Sequence, residues 1–185
     1  MCGISGYFQN NISQPQVDKI NKVKQTLNHR GPDNFSYYKD KKFIFFHNRL
    51  SIIDFDKRSN QPMISNCGNY VLVFNGEIYN YLELKRLLKH DYKFKTTSDT
   101  EVLLASFIKW GENCLNKLYG AFAFCIYDLR KKFAFFARDR FGQKPLFFWD
   151  NKGCLFFSSE IKFFKIFGYE NKMDLTTWQK YLQNA

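Results

Sequence analysis

The sequence has no run of eighteen or more apolar residues, and its N-terminus has no charged stretch followed by an apolar one. The first absence predicts a chain without a membrane-spanning helix, and the second predicts a chain without a secretory signal peptide. Internal repeats and low-complexity linkers are absent as well. We therefore expect a cytoplasmic globular protein that does not insert into membranes.

Cysteine is scarce, and its spacing matches no common framework. There are five cysteines, an odd number, with no Cys-x-x-Cys pair and no nearby histidine. This pattern fits neither a disulfide scaffold nor a zinc site, so we expect reduced thiols and no bound metal. Cys125 stands in the apolar run Ala121 to Tyr127, where it is most simply a small core residue.

Acidic residues are fewer than basic ones, 17 against 28, which gives a net charge of +11. Such an excess raises the hypothesis of a nucleic-acid or acidic-membrane partner. The basic residues are mostly scattered lysines, however, and the one short cluster, Lys39 to Lys42, is interrupted by Asp40. An arginine-rich stripe of the kind that binds phosphates is missing, so we interpret the charge as solvated lysine-rich faces and expect no nucleic-acid binding.

Aromatic residues are abundant, with 22 Phe, 11 Tyr and 3 Trp, and 45% of the 185 residues are hydrophobic. A chain of this length and composition can bury a large core. Apolar runs predict seven strands. These are Gly3–Phe8, Lys42–Leu50, Tyr70–Asn75, Gly120–Asp128, Lys132–Arg138, Leu146–Trp149 and Cys154–Ser158.

Helical periodicity predicts helices over Gln16–Leu27 and Tyr81–Leu88, and a largely buried helix that begins at Asp99. A short fourth helix is predicted over Glu160–Phe167, and a further one is predicted to begin near Met173. Strands and helices come in groups with short turns between the strands. This grouping favours antiparallel sheets with helices packed outside them.

Cys2 is the first candidate for chemistry. Removal of Met1 would give Cys2 a free α-amine beside its own thiol. An N-terminal amine has a pKa of about 7.7 to 8, whereas that of lysine is near 10.4, so at pH 7 the amine is the better base by about a hundredfold. By itself, a cysteine at position two is a weak signal.

Two further features could serve the same chemistry. Acyl transfer from an amide builds negative charge on an oxygen, and Asn75-Gly76, placed at the end of a predicted strand, could offer a side-chain amide and a backbone N–H to it. The alternative is that Asn-Gly is only a turn. Arg49 and Asp99 carry the opposite charges that would hold the carboxylate and ammonium of a free amino acid.

Six motifs taken together resemble the class II glutamine amidotransferase domain of glutamine-hydrolysing asparagine synthetases. The resemblance runs from Cys2 to at least Lys162. The motifs are Met1-Cys2-Gly3-Ile4, His29-Arg30-Gly31-Pro32-Asp33, Asn48 to Asp54, Phe74 to Asn80, Ser98-Asp99-Thr100-Glu101 and Ala137 to Leu146. Phe74 to Asn80, together with Ser158 to Lys162, resembles the asparagine synthetase branch more than other branches.

The resemblance implies an α+β fold of the N-terminal-nucleophile type, a four-layer αββα sandwich of two antiparallel sheets. It implies that Cys2 attacks the side-chain amide of L-glutamine, and that the Asn75 side chain and the Gly76 N–H form the oxyanion hole. Arg49 would bind the α-carboxylate and Asp99 the α-ammonium. The rest of the implied glutamine pocket is Leu50, Ser51, Ile52, Ile53 and Glu77. The Arg30 loop would border the site, and Arg138 to Gly142 would be structural.

The resemblance also sets the expected extent of the domain. We expect the amidotransferase domain over residues 2–170, and over 171–185 the start of a linker or helix toward a synthetase domain. The Ser-Gly-Gly-x-Asp-Ser type of loop that binds ATP pyrophosphate in this branch does not occur here. ATP and magnesium would therefore belong to that other domain, and this chain would need no cofactor. A homodimer is left open, and the alternative function is a catalytically silent regulatory or interaction domain of the same fold.

Overall fold

A computed structural model describes residues 1–10, 12, 17–172 and 174–183 of the chain. It contains nine strands and five α-helices within these residues. The strands are β1 (Gly3–Phe8), β2 (Asn34–Lys39), β3 (Phe43–Arg49), β4 (Met63–Ile64), β5 (Tyr70–Ile78), β6 (Gly120–Asp128), β7 (Phe133–Arg138), β8 (Phe147–Asn151) and β9 (Cys154–Ser158). The helices are α1 (Val17–Leu27), α2 (Tyr81–Leu88), α3 (Asp99–Trp110), α4 (Lys162–Lys165) and α5 (Leu175–Gln183).

The strands form two sheets in which every pair is antiparallel. One sheet has five strands in the order β2-β3-β1-β9-β8, and the other has four in the order β4-β5-β6-β7. In the first sheet, β1 lies at the centre between β3 and β9. Cys2 therefore comes directly before a central strand, and the position of its backbone is set by two neighbouring strands.

Three apolar clusters show how the layers stack. One packs the outer face of the four-stranded sheet against α2 and α3, and includes Leu72, Leu84 and Leu103. A second lies between the two sheets and includes Ile4 and Val73. The third packs the outer face of the five-stranded sheet against α1 and α4. The order of layers is helix, sheet, sheet, helix, which confirms the predicted αββα sandwich.

The predicted elements agree with the structure where hydrophobic periodicity is strong. Bounds match for β1, β6, β9 and α2, and the first eight residues of α3 are all buried, as its pattern predicts. The helix predicted over 160–167 keeps only its central part as α4, with turns on both sides. Gln16 and Met173, which the predictions placed at helix starts, lie outside the described residues.

One strand prediction was wrong in a way that matters for function. Asn75-Gly76 was expected to end a strand or form a turn, but β5 continues to Ile78, and Asn75 and Gly76 pair with Ala123 and Phe122 of β6. The two residues therefore sit inside a sheet, and their orientation is set by strand pairing.

Helix α5 differs from the rest of the chain because all of its residues are exposed. The domain boundary predicted at residue 171 stays a prediction. Within the described residues, no helix is both long and apolar enough to cross a membrane.

Candidate active site

Cys2 is held by the backbone of a neighbouring strand end. Its Sγ accepts a hydrogen bond from the Leu50 N–H at 3.4 Å and lies 3.6 Å from the Leu50 carbonyl oxygen. Its own carbonyl accepts a hydrogen bond from Arg30 Nε at 3.0 Å. Burial raises the pKa of the Cys2 thiol, and the hydrogen bond from Leu50 offsets this only in part. The thiol is therefore protonated at neutral pH and needs a base to become a nucleophile.

A cavity of about 90 Å³ opens beside Cys2. It lies where the end of β3 and the loop after it face the second half of β5 and the start of α3. Its lining includes Cys2, Arg49, Leu50, Ile52, Ile53, Asp54, Gln61, Asn75, Gly76, Glu77, Asp99 and Lys144. Thiol, amide, carboxylate and guanidinium groups from distant parts of the chain thus meet in one small space.

The edge of β5 shapes one wall of this cavity. The two-residue strand β4 pairs only with Val71 and Leu72, so, among the described strands, none pairs with the later residues of β5 on that side. The Phe74 N–H instead donates to Gln61 Oε1 at 2.6 Å, and the Ile78 N–H donates to Asp99 Oδ2 at 3.0 Å. Alternate amides of a strand point the same way, so the Gly76 N–H points to this open side, between those two hydrogen bonds.

Asn75 offers a second donor beside that amide. The residue is 1% exposed, and its Nδ2 is buried with no hydrogen-bond partner among the described residues. A buried amide donor without a partner is costly, typically 1–3 kcal/mol, unless something else accepts from it. A backbone N–H on an open strand edge and a side-chain amide beside it are suited to an oxygen that develops negative charge.

Gly76 is required by the close approach of the two strands. A Cβ at this position would lie 2.4 Å from the Ala121 carbonyl oxygen, which is far inside van der Waals contact. Any side chain would push β5 away from β6. The absence of a side chain therefore keeps the Gly76 amide in its place on the cavity wall.

Asp99 supplies a buried carboxyl group at the start of α3. Ser98 caps this helix by accepting the Glu101 N–H at 3.3 Å, which fixes Asp99 as its first residue. Burial raises the pKa of Asp99 to about 6, and the nearby Glu77 charge adds to this, while the hydrogen bonds from Ile78 and Thr100 oppose it. A buried carboxylate with a raised pKa favours a cationic ligand group, which would stabilise its charged form.

Arg49 lies at the end of β3 and is 7% exposed. Its guanidinium donates to the Asp56 carbonyl at 3.1 Å and to Asn60 Oδ1 at 2.7 Å, and also to the Asp54 carbonyl. These contacts fix the loop between β3 and β4. Arg49 is therefore a loop anchor as well as a cation at the cavity.

Comparison with known proteins gives the family. A family model described as "Glutamine amidotransferase domain" matches residues 1–185. The chain belongs to the glutamine amidotransferase domain family. It is 38% identical over 167 residues to asparagine synthetase [glutamine-hydrolyzing] 3 of Bacillus subtilis, and 37% identical over 164 residues to asparagine synthetase B [glutamine-hydrolyzing] of Escherichia coli. The predicted resemblance is thereby confirmed.

These relatives are much longer than the chain. Each match covers 88% of this chain but only 27% or 29% of the relative. Among solved structures, glutamine phosphoribosylpyrophosphate amidotransferase from Bacillus subtilis is similar in fold, with a TM-score of 0.72 and 23% identity. That match covers 90% of this chain and 44% of the other. This glutamine amidotransferase domain thus corresponds to part of its asparagine synthetase homologues.

The structure brings nearly all the predicted site residues of this amidotransferase domain together. Nine of the ten line the cavity. Ser51 does not line the cavity. Its N–H donates to Asp33 Oδ2 at 2.7 Å, which fixes the start of the loop after β3. Arg138 and Asp139, which were expected to be structural, fold the loop after β7. Asp139 accepts the N–H groups of Phe141, Gln143 and Lys144, and Arg138 donates to the Gly142 and Lys144 carbonyls.

Three polar residues in or beside the site of this amidotransferase domain were not predicted as site residues. Gln61 accepts the Phe74 N–H, and His47 Nε2 lies 3.2 Å from the Phe74 carbonyl oxygen. Asp54 accepts the Thr97 N–H at 2.8 Å and so ties the loop after β3 to the segment before α3. Each contact joins residues far apart in sequence, so no local pattern reports it. The one available signal was His47, the first polar residue after the apolar first four residues of β3.

Proposed function

We propose that this domain hydrolyses the side-chain amide of L-glutamine to glutamate and ammonia, with Cys2 as an N-terminal nucleophile. The observation that carries the proposal is that the Cys2 thiol meets two donors in one cavity: the Asn75 Nδ2, which has no hydrogen-bond partner among the described residues, and the Gly76 N–H on the open edge of β5. An attacking group and donors for the oxyanion are the two requirements of acyl transfer from an amide.

The base is the α-amine that Cys2 gains when Met1 is removed. It takes the thiol proton, and the thiolate sulfur bonds to the amide carbon, which places the negative charge on the carbonyl oxygen. When the carbon–nitrogen bond breaks, the proton passes from the amine to the leaving nitrogen, and ammonia departs. Water then attacks the thioester and gives up one proton to the amine. As the carbon–sulfur bond breaks, that proton passes to the sulfur and restores the thiol, and the new carboxyl group loses its remaining proton to solvent as glutamate is released.

The charged residues of the cavity account for recognition of a free amino acid. Asp99 would pair with the α-ammonium, and the buried Arg49 would attract the α-carboxylate. The loop anchored by Arg49 contributes Leu50, Ile52 and Ile53, which enclose the aliphatic part of the substrate. Because ionised groups bind strongly where water is excluded, both charged groups on the α-carbon of glutamine would be fixed while the side-chain amide at the other end faces Cys2.

The ammonia acceptor is proposed from the relatives. They carry the name asparagine synthetase, and this chain spans less than a third of either relative. We infer a synthetase domain or subunit that receives the ammonia, with asparagine as the product if the acceptor is aspartate. ATP and magnesium would act there, and we place the whole reaction in the cytoplasm.

Ammonia and glutamate release from L-glutamine tests the proposal. The purified protein is first shown by intact mass to lack Met1, and is then compared with Cys2→Ala and with Cys67→Ala, which removes an exposed thiol elsewhere. We expect release by the native protein and by Cys67→Ala, and none by Cys2→Ala. Glutamine binding in a calorimeter without ammonia release would favour the silent regulatory domain instead. Release by Cys2→Ala would refute the role of Cys2.

A further inference from the structure

The backbone of Cys2 is held by Arg30, a residue that does not line the cavity. Removal of Met1 would leave Cys2 with only one covalent neighbour, and terminal residues are poorly ordered unless something ties them down. In addition to the strand pairing of β1, two hydrogen bonds restrain Cys2. Leu50 contacts the thiol, and Arg30 Nε donates to the main-chain carbonyl at 3.0 Å. The position of the nucleophile therefore depends on the position of the Arg30 side chain.

Arg30 is itself fixed by an acid. Its side chain is 10% exposed, and its Nη1 donates to Glu160 Oε1 at 3.2 Å. A guanidinium that is largely removed from water needs a charged partner to remain in place. Glu160 supplies that charge. Its burial raises the pKa of this carboxyl group, but hydrogen bonds from Lys162, His29 and Arg30 together lower it below the ordinary value.

Glu160 is in turn attached to the strand that follows Cys2. The Ser159 N–H donates to the Ile4 carbonyl at 2.8 Å, and Ser159 Oγ accepts the Ile4 N–H at 3.1 Å. The turn that carries Glu160 thus moves with β1. A closed ring of contacts results, from Cys2 through Arg30 and Glu160 back to Ile4, two residues after the nucleophile.

We propose that Glu160 is a positioning residue for the nucleophile, acting through Arg30 on the carbonyl of Cys2. The inference rests on the proposed function, because only an N-terminal nucleophile needs such a restraint. Glu160 does not line the cavity. Its loss should therefore change the placement of the thiol and leave the binding of glutamine unchanged.

The first test is the kinetics of Glu160→Gln, which keeps the size and removes the charge. We expect kcat to fall about tenfold to a hundredfold, the loss that a misplacement near 1 Å produces, with KM within about twofold of native. Asp91→Asn is the matched control, since it removes the acid of an exposed ion pair with Lys109 and should leave both constants unchanged. A native kcat in Glu160→Gln, or a rise in KM alone, overturns the proposal.

The second test does not depend on turnover. Iodoacetamide alkylation of Cys2 is followed by peptide mass spectrometry, with the exposed Cys67 of the same molecule as the internal standard. A released Cys2 leaves its half-buried position, so its alkylation relative to Cys67 should become severalfold faster in Glu160→Gln and not in Asp91→Asn. An unchanged ratio overturns the proposal. This readout decides even if the native protein releases no ammonia, which would count against the proposed function alone.

A double-mutant cycle tests the route through Arg30. If Glu160 acts only by holding Arg30, Arg30→Ala combined with Glu160→Gln should be no more impaired in kcat, and no faster in Cys2 alkylation, than Arg30→Ala alone. Effects that multiply would show that Glu160 acts independently of Arg30 and would refute this route. Unfolding temperatures of all variants are measured alongside, so that general loss of the fold is recognised.

Discussion

The raised pKa of Asp99 predicts that glutamine binding weakens as the pH falls below neutrality. The pKa of Asp99 is about 6, because burial penalises the carboxylate and Glu77 adds negative charge nearby. An incoming ammonium pairs only with the ionised form. Glutamine binding should therefore require that Asp99 has lost its proton.

The size of the effect follows from the ionised fraction. With a pKa of about 6, Asp99 is roughly nine-tenths ionised at pH 7 and roughly one-tenth ionised at pH 5. The dissociation constant of glutamine should rise about tenfold over this range, which is about 1.4 kcal/mol of binding free energy. At pH 6, binding should release about half a proton, since the carboxyl group is half protonated beforehand.

Isothermal titration calorimetry with the Cys2→Ala protein measures this without turnover. Titrations at pH 5, 6 and 7 give the dissociation constants, and at pH 6 two buffers with different ionisation enthalpies give the number of protons released. An α-amine titrates near 7.7 to 8, so the glutamine ammonium stays charged throughout the range. Asp99→Asn is the control, and should bind weakly with no dependence on pH.

Two results would refute the reasoning. A native dissociation constant that is flat between pH 5 and 7 would show that Asp99 does not pair with the ammonium or is not perturbed as described. A pH dependence that persists in Asp99→Asn would place the titrating group elsewhere. The first result would remove either the proposed ion pair or the raised pKa of Asp99, and the second would assign the pH dependence to another group. Neither result would touch the role of Cys2.

Three further predictions concern the stability of the fold around the site. Burial lowers the pKa of His47 to about 3, below the value of about 6.5 in the unfolded chain. The contribution of His47 to the free energy of unfolding is therefore full above pH 6.5 and is lost as the pH falls toward 3. At pH 5 this loss of unfolding free energy is about 2 kcal/mol. Denaturant unfolding at pH 7 and pH 5 should show the loss in the native protein and not in His47→Gln, while the opposite contribution of Asp99 is present in both proteins. The same pH dependence in both proteins would contradict the prediction. Gly76→Ala should lower the free energy of unfolding by about 1–3 kcal/mol or more, because its Cβ would lie 2.4 Å from the Ala121 oxygen, and an unchanged denaturation midpoint would speak against this. Ser98→Ala removes the helix cap from Glu101 and should cost about 1 kcal/mol, or about 3 °C in melting temperature, with no change expected for Thr177→Ala on the exposed α5.

Local patterns were enough to predict most of the elements. The runs that form β1, β6 and β9 are apolar, and the helix stripe of α1 places Val23 and Leu27 in the core. Strand β2 was missed because it is an edge strand whose residues are only partly buried. Strand β4 was missed because two residues carry no periodicity. Both are cases in which pairing with a neighbour, and not the segment's own composition, makes the strand.

The site was predictable only as far as the motifs reached. Cys2, Asn75 and Asp99 were predicted as site residues because each stands in a motif with recognisable neighbours, and the three line one cavity. Gln61 was not predicted, because it accepts the Phe74 N–H from a loop whose sequence shows no recognisable pattern. Glu160 lies within the Ser158 to Lys162 motif, but its contact with Arg30 spans 130 residues, and its link to the nucleophile is visible only in three dimensions.

The shortness of β4 has a consequence for how this domain can change. Exposed strand edges invite pairing with other chains, and proteins usually protect them with a further strand, a helix or charged side chains. Here Gln61 and Asp99 accept the N–H groups of Phe74 and Ile78, and the Gly76 N–H between them is available to the proposed oxyanion. Lengthening β4 by a few residues would complete the ladder and strengthen the sheet, yet it would fill the one position that the proposed chemistry needs open. We therefore expect insertions that extend β4 to strengthen the sheet and to abolish ammonia release.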